Sequence, residues 1–557
     1  MSSSEAVLFL LILGLMLLLA RGLGELFRFF KQPMVIGEIL AGIILGPTVF
    51  GMLAPDIYNH LFNSSASITS ALSGLAMLGV VLLLIVSGLE VDLGVLIRQS
   101  KVAGLTSFTG ILFTFIAGFA LSYLFPSFLG LPADQNPLIF SLFIGTSLSI
   151  TALPVVAKIL MDLKLFKSEI GFTVVAAAMF NDITGWIIFS ILLTQISDSG
   201  HGFSPQTTIA LMFAFLLVTL VVGRKFFNRI LPVIQRKFSF PGSVLNFIFI
   251  AGLAGAAFTE YIGIHAIFGA FIVGIAIGDS AHLKEDTREI IQQFVTNIFA
   301  PLFFVSIGLR VNFFLNFDFF LTLTLVVVAT AAKVTGSALG ARAAGMGKLE
   351  SKAVGFGMNA HGAMEIILGL LALEYTLITE RTFVALVIMA IITSVISGPL
   401  MSVYAEKIKM LRTLKGLLKP SSVYITTACS KDEIIRELCA KTAAAHRLDQ
   451  IALRVAVLAR EETSSTGLVN GLAIPHARIS IKEPLLMCAV SQQGIDFDSL
   501  DGKLSHIFFL LVTPQIMPEL QLQLLSDIAK LFSDDELSRQ VRGNPEGFYQ
   551  IIASKLQ

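Results

Sequence analysis

Few residues of this chain could do chemistry where they lie, and Asp182 stands first among them. It sits in AAAMFNDITGW, within a run from Ile170 to Ile196 that is otherwise almost wholly apolar, with the amide of Asn181 just before it. A carboxylate taken out of water binds a counter-charge. Two kinds fit: a proton, or a dehydrated monovalent cation held by a few oxygen ligands. One carboxylate holds one of these at a time. If only the loaded site crosses between the two sides of a membrane, that competition is exchange, and it needs no second energy source. No G-x-x-x-x-G-K-S/T loop occurs in the spans, which argues against ATP-driven pumping.

Other ionisable groups lie deep in apolar sequence. Lys333 is in AAKVTGSALGAR, His361 and Glu365 are in MNAHGAMEIILG, and Glu38 is in VIGEILAGIILGP. Each is either a functional group or half of a structural pair that locks helices together. Two of the apolar stretches are interrupted. In SLSITALPVVAKIL, Pro154 removes a backbone donor, and Ser147, Ser149 and Thr151 place hydroxyls beside the break. In the other, Asn359, His361 and Gly362 form a polar knot in mid-span. Non-helical backbone at membrane depth is tolerated where it is buried or lines a cavity, and paired interrupted helices point to a transporter site. A Pro-kinked packing helix is the plainer alternative. Outside the apolar region the one chemical feature is His476 in GLAIPHAR, whose neutral imidazole is a good phosphoryl acceptor.

The elements that must position these groups follow from composition. The 557 residues are 55% hydrophobic and only 14% charged, with a mean hydropathy of +0.83. That is the composition of a membrane protein. The apolar residues come in long blocks up to about Tyr404, and beyond Lys407 the sequence is an ordinary soluble mixture. About thirteen candidate spans begin near Ala6, Val35, Ser70, Val102, Leu138, Ile170, Thr208, Val244, Ile264, Ile298, Phe319, Ala353 and Thr382. The ninth and tenth are short.

The loops alternate in charge. Arg21, Arg28 and Lys31 follow the first span; Arg98 and Lys101, then Lys164 and Lys167, lie on the same side. Arg224, Lys225, Arg229, Arg236 and Lys237 crowd a later loop on that side, with Lys284, Arg288, Arg342, Lys348, Lys352, Lys407, Lys409, Arg412 and Lys415 beyond. The opposite side carries little beyond Arg310 and Arg381. The positive-inside rule then places the N-terminus outside and the C-terminal part in the cytoplasm. The leader MSSSEA has no basic residue, so the first span reads as retained rather than as a cleaved signal peptide. Cys429, Cys439 and Cys488 all lie in the C-terminal part without metal-ligand spacing, and read as reduced thiols.

The expected organisation is a membrane domain over residues 1–405, a basic linker over 406–420 and a cytoplasmic domain over 421–557. In the last, ITTACSKDEIIRELCAKTAAAH reads as a short extended piece followed by a helix, with Ser430 and Glu433 at capping-box spacing. LLMCAVSQQG and HIFFLLVTP read as buried strands, and ELQLQLLSDIAKLF as an amphipathic helix. This is an α/β domain.

The membrane part resembles the cation:proton antiporter superfamily, nearer its second subfamily of sodium/proton and potassium/proton exchangers. The resemblance runs from about Glu25 to Tyr404. It rests on QPMVIGEILAGIILGP, VVLLLIVSGLEVDL, TSLSITALPVVAKIL, Asn181-Asp182, PLFFVSIGLRVN and MNAHGAMEIIL, in that order. It implies thirteen helices with inverted repeats, a homodimer through the membrane domain, and a core with two crossed, unwound helices. Thr151 and the Ala152–Pro154 turn would fall in the first of these and Asn359 to Gly362 in the second, with Ser149 beside them and Asp182 binding cation and proton. Electrogenic members usually carry two adjacent acids where this chain has Asn181-Asp182, as electroneutral exchangers do. Yet Lys333, the expected charge-compensating group, matches the lysine of electrogenic members. His361 stands where many relatives carry Arg, which leaves pH sensing and a tolerated substitution both open.

The tail resembles the enzyme IIA domain of the phosphoenolpyruvate-dependent phosphotransferase system, of the fructose/mannitol and nitrogen-regulatory type, through AREETSSTGLVNGLAIPHARISIKEPL and IDFDSLDGKLSHIFFLLVTP. It implies that His476 is the phosphorylated residue, Arg460 its positively charged neighbour and the histidine phosphocarrier protein its donor. A second family histidine is replaced by Gln521. The combined expectation is a secondary transporter rather than an enzyme: a bacterial inner-membrane antiporter of Na⁺ or K⁺ against H⁺, regulated by its tail through phosphorylation near the basic cytoplasmic loops. The rival class is a phosphocarrier or signalling protein for which the spans are an anchor. Lipid surrounds the spans in either case. Nothing calls for nucleic acid, a cofactor or a resident metal.

Overall fold

The computed structural model describes residues 2–30, 32–62, 65–91, 94, 100–163, 165–166, 168–196, 204–238, 241–280, 282–481, 483–515 and 518–556. Lys31, Arg98, Lys164, Lys167, Asp92, Leu93 and Lys482 of the sequence readings lie outside them. The chain divides into two compact units, Met1–Ser402 and Val403–Gln557.

The first unit is helical. Its main helices are α1 (Ser3–Phe29), α2 (Met34–Leu45), α3 (Ala66–Leu89), α4 (Ser100–Leu124), α5 (Pro137–Ser149), α6 (Leu153–Asp162), α7 (Glu169–Ile196), α8 (Gly242–Tyr261), α9 (Ala266–Gly278), α10 (Ala300–Arg310), α11 (Phe319–Ala343), α12 (Lys348–Met358), α13 (Ala363–Glu374) and α14 (Glu380–Leu411). Among the described residues, 11 helices are long and apolar enough to cross a membrane, and α12 with α13, bent by 41°, makes up to 12. The remaining expected span is α9, with 13 residues. At 1.5 Å per residue it reaches roughly 20 Å, short of the ~30 Å hydrocarbon layer.

Local chemistry sets the ends of these helices. The side chain of Asn136 caps α5 by accepting from the Leu138 amide at 2.8 Å, and Pro137 occupies the first turn. Asp318 caps α11 in the same way, accepting from Leu321 at 2.8 Å. After Ser149 the chain turns extended at Ile150 (φ −82°, ψ 147°), and Pro154 then sits in the first turn of α6, where a missing N–H costs little.

Two sets of helices pack among themselves: α1, α2, α3, α8, α9 and α10 in one, and α4, α5, α6, α7, α11 and α12 in the other. Small residues allow the closest approaches. A Cβ on Gly42 of α2 would lie 2.3 Å from the Val305 carbonyl oxygen of α10, so only glycine fits there.

The second unit is the α/β fold read from the sequence. Its strands are β1 (Val423–Thr426), β2 (Leu472–Ala473), β3 (His476–Ile479), β4 (Leu485–Ile495) and β5 (Ser505–Pro514), in the order β1-β4-β5-β2, with β3 also on β5. Among the described strand pairs, β4 and β5 run antiparallel and the others parallel. The helices that cover the sheet are α15 (Lys431–His446), α16 (Gln450–Thr463), α17 (Pro518–Leu531) and α18 (Asp535–Gly543). The period-2 alternation along the strands fills two cores. Leu486, Cys488, Val490, Phe509 and Leu511 pack with Leu524 and Ile528 of α17. Met487, Ala489, Phe508, Leu510 and Val512 pack with Leu438 of α15 and Val457 of α16.

Leu414 and Leu418 join the first of these cores. Ser430 caps α15, accepting from Glu433 N at 3.3 Å, while the Glu433 carboxylate accepts from Cys429 N rather than from the cap residue. Cys439 and Cys488 are buried free thiols and Cys429 is exposed.

Candidate functional site

The two interruptions lie against each other and are stitched by their own backbones. Ala152 N donates to Ala360 O at 2.9 Å, and Thr151 Oγ1 donates to Met358 O at 2.8 Å. His361 Nε2 donates to Leu148 O at 3.0 Å, while its Nδ1 lies 3.0 Å from Asn359 O and 3.1 Å from Thr393 Oγ1. Each broken helix thus satisfies orphan carbonyls of the other, which is the condition for broken backbone at membrane depth. Gly362 is required by contact: a Cβ there would meet the Ala152 Cβ at 2.8 Å.

Asn181 of α7 is tied into the same knot. Its Nδ2 donates to Thr151 Oγ1 at 3.1 Å and to Ser149 O at 3.4 Å, and its Oδ1 accepts from Ser107 Oγ of α4. Lys333 of α11 is fully buried and its ammonium donates to Ser149 O. That carbonyl is at the C-terminal end of α5, where the helix dipole favours a cation. Among the described residues Lys333 makes no ion pair with a carboxylate.

Asp182 stands outside this network of bonds. It is fully buried, and neither of its oxygens has a hydrogen-bond partner among the described residues. Glu365, in the first turn of α13, is in the same position with both oxygens unpartnered. Asn359 donates to Ser397 Oγ at 3.4 Å, and its own Oδ1 has no partner among the described residues. Ser149 turns its hydroxyl back to Thr146 O at 2.8 Å, so it is its carbonyl that joins the site.

Ser149, Thr151, Asn181 and Lys333 are therefore linked by hydrogen bonds, as are Asn359 and His361, and the two groups are bridged through the Met358, Ala360 and Leu148 carbonyls. Asp182 follows Asn181 directly, and Glu365 leaves the second interruption. Glu38 lies apart from this bonded set, in a cavity of ≈ 220 Å³ that also reaches Ala152, Pro154 and Gly362.

Sequence reasoning missed the hydroxyls that hold the knot from outside. Ser107 is one. The others are Thr393, Ser394 and Ser397 of α14; Ser394 donates to the His361 carbonyl. Their signal was two adjacent hydroxyls and a third one turn on, within IITSVISGP of an apolar span.

In the tail, His476 opens β3 and is 8% exposed. Its Nδ1 donates to Ile474 O at 2.8 Å, which leaves Nε2 with the lone pair. Burial pushes the imidazole below its ordinary value; the Ile474 bond opposes this, and the Arg460 and Arg478 guanidinium groups add to it. Arg460 is held on α16 by a bond to Ser464 O at 3.2 Å. The adjacent Glu461 pairs with Lys431 at 2.8 Å. Gln521 is buried on α17.

Interrupted helices meeting around buried polar groups, in a bundle of about a dozen spans, are the build of a secondary transporter. The family described as "Sodium/hydrogen exchanger, transmembrane" matches residues 13–407, and the family described as "Phosphoenolpyruvate-dependent sugar phosphotransferase system, EIIA 2" matches residues 417–555. Over 386 residues the chain is 36% identical to the Na(+)/H(+) antiporter NhaS4 of Synechocystis sp., covering 69% of this chain and 93% of that one. It is 30% identical over 409 residues to the K(+)/H(+) antiporter 1 of Saccharomyces cerevisiae, where it spans 72% of this chain and 46% of the relative. The sodium proton antiporter MjNhaP1 from Methanocaldococcus jannaschii has the same fold, with a TM-score of 0.54 at 17% identity over 72% of this chain and 98% of that one. The chain belongs to the sodium/hydrogen exchanger family of cation/proton antiporters, with an EIIA-type domain fused to its membrane unit.

Proposed function

We propose that the protein exchanges Na⁺ or K⁺ for H⁺ across a bacterial inner membrane, with cation and proton competing for Asp182. The observation that carries this reading is the state of that carboxylate: fully buried beside the bonded knot, with no hydrogen-bond partner for either oxygen among the described residues. A structural acid at that depth is paired. An acid left free among hydroxyls and carbonyls is ready to take an exchangeable counter-charge. Asn181, Thr151 and Ser149 supply neutral oxygens around it. Lys333 neutralises the α5 end and balances the site's charge. Glu365, Asn359 and His361 shape the second half of the crossing, and the two interrupted helices are equivalent members of an inverted repeat. The working form is a homodimer with the N-terminus outside.

The test is proton flux in everted vesicles with Na⁺, K⁺ and Li⁺ compared at several pH values. Cation-dependent flux in the wild type that is absent in Asp182→Asn supports the reading. Equal flux in the two rejects it.

For the tail we propose that His476 Nε2 accepts a phosphoryl group from the histidine phosphocarrier protein, with Arg460 lending positive charge, and that the phosphorylated protein transports at a different rate. The fixed Nδ1–H and the free Nε2 support this. Incubation with phosphoenolpyruvate and the general phosphotransferase proteins should give acid-labile label that vanishes in His476→Ala. No label under conditions that charge a known enzyme IIA removes phosphorylation as the switch.

A further inference from the structure

The cavity of ≈ 220 Å³ lies between the two helix sets of the membrane unit. One wall is formed by α2 and α3. The other is formed by the interruptions themselves, through Ala152, Pro154 and Gly362. At about 30 Å³ per water its volume corresponds to roughly seven waters, enough for a small cation with part of its hydration shell. Most of its lining is apolar, yet two carboxylates, Glu38 and Glu90, face it together with Ser87.

Their state suggests a ligand rather than a structural role. Glu38 is 4% exposed and Ser87 is 7% exposed, and among the described residues neither the Glu38 Oε2 nor the Ser87 hydroxyl has a hydrogen-bond partner. Ser87 and Glu90 are three residues apart at the end of α3, so they share a face. Glu90 accepts from Gln292 Nε2 at 3.0 Å through one oxygen. Neither carboxylate has an ion-pair partner among the described residues. The two arginines whose charge reaches them are engaged elsewhere: Arg21 with Asn297 and Glu25, and Arg288 with the Gly278 carbonyl. A buried acid without a counter-ion, beside an unpartnered hydroxyl in a cavity with room for water, has the hard oxygen donors that an alkali cation needs.

We propose that Glu38, Ser87 and Glu90 form a second monovalent-cation site, distinct from Asp182, in which a partly hydrated ion waits on its way to the crossing. The proposal rests on the antiporter reading for its purpose but not for its test. The site loads an ion that has kept some of its water, and the knot beyond it strips the rest.

The test is cation-dependent thermal stabilisation of the purified full-length protein. NaCl or KCl is compared with choline chloride at equal ionic strength, because an ion bound only to the folded state raises the melting temperature by mass action. Asp182→Asn should retain part of the wild-type shift. Adding Glu38→Gln to Asp182→Asn should abolish what remains. Ser87→Ala with Glu90→Gln in the same background gives a second, independent removal of the site should the first variant misfold. No cation-specific shift in Asp182→Asn overturns the proposal, and so does a shift that survives both removals. Failure of the antiporter reading would show differently, as vesicle flux that persists in Asp182→Asn whatever the melting data show.

Discussion

Asp182 and His476 are both buried ionisable groups, and the chain treats them in opposite ways. In the bonded set beside Asp182, Asn181 is tied to Thr151, Ser149 and Ser107, and Lys333 to the Ser149 carbonyl. The acid itself receives nothing. Among the described residues His476 has one side-chain partner, on Nδ1, which leaves Nε2 open. On the proposed function, the difference matches the traffic each group would carry. An ion that must bind and leave cannot compete with a permanent hydrogen bond, so its ligand is kept free while the frame around it is rigid. A phosphoryl acceptor forms one covalent bond in one direction, so fixing the far nitrogen orients the lone pair without blocking it.

The sharpest way to break this comparison is Asp182→Asn. The amide keeps the shape but not the charge, so exchange should fall to the background of empty vesicles while size-exclusion and melting profiles remain those of a folded protein. Retained flux would mean that the unpartnered acid is not the ion ligand. On the tail side the equivalent is His476→Ala, expected to lose all phosphotransferase-dependent label while the sheet, built on other residues, stays intact by circular dichroism.

Lys333→Ala tests the frame rather than the ligand. It leaves the Ser149 carbonyl with only its 3.4 Å bond from Asn181, and a buried acceptor deprived of its partner costs about 1–3 kcal/mol. A lower melting temperature with slowed but measurable exchange is expected. Exchange lost as completely as in Asp182→Asn would move Lys333 from the frame into the ion-binding step.

The acid–base side of His476 predicts a smaller effect. Because burial holds the imidazole below its usual value, the ring is neutral at pH 7 and the labelling rate should be flat above that pH. It should fall only as the pH drops below the ordinary histidine range of about 6.5. Arg460→Gln removes a cation that depresses the group, so the fall should begin at higher pH than in the wild type. A profile unchanged by Arg460→Gln would separate that guanidinium from the site. The smallest expected effect is Thr393→Val, which takes from His361 one of its partners and should cost about 1 kcal/mol of stability by melting, with exchange retained.

The parts of the site that were legible in the sequence are those whose residue type is anomalous for its surroundings. Asp182, Lys333, Glu365 and Glu38 are ionisable groups in apolar runs, and Pro154 and the Asn359–Gly362 knot break helical periodicity. The hydroxyls were not legible. Thr393, Ser394 and Ser397 each return a bond to their own helix, to Met389, Ala390 and Thr393, at 2.7–2.9 Å, as serine and threonine commonly do in apolar helices. Only a second contact across space, Thr393 and Ser394 to His361 and Ser397 to Asn359, makes them part of the site. The span at Ala266–Gly278 shows the same limit in the fold: its apolar composition is that of a span, but its 13 residues are too few to cross alone.

The sequence by itself determined the membrane class, the division near Tyr404, the places where two helices must break, and the alternation that builds the tail sheet. These are local properties: hydropathy, proline and glycine geometry, and the period of a strand. It also singled out Asp182 and His476. What only the tertiary structure decided is who their neighbours are. That Thr151 meets Met358, that Lys333 meets the end of α5 rather than an acid, and that Glu38 shares a cavity with Ser87 and Glu90 depends on segments tens to hundreds of residues apart arriving at one point. No local rule encodes that arrival; it is set by the packing of whole helices, and the candidate site exists only where their broken ends meet.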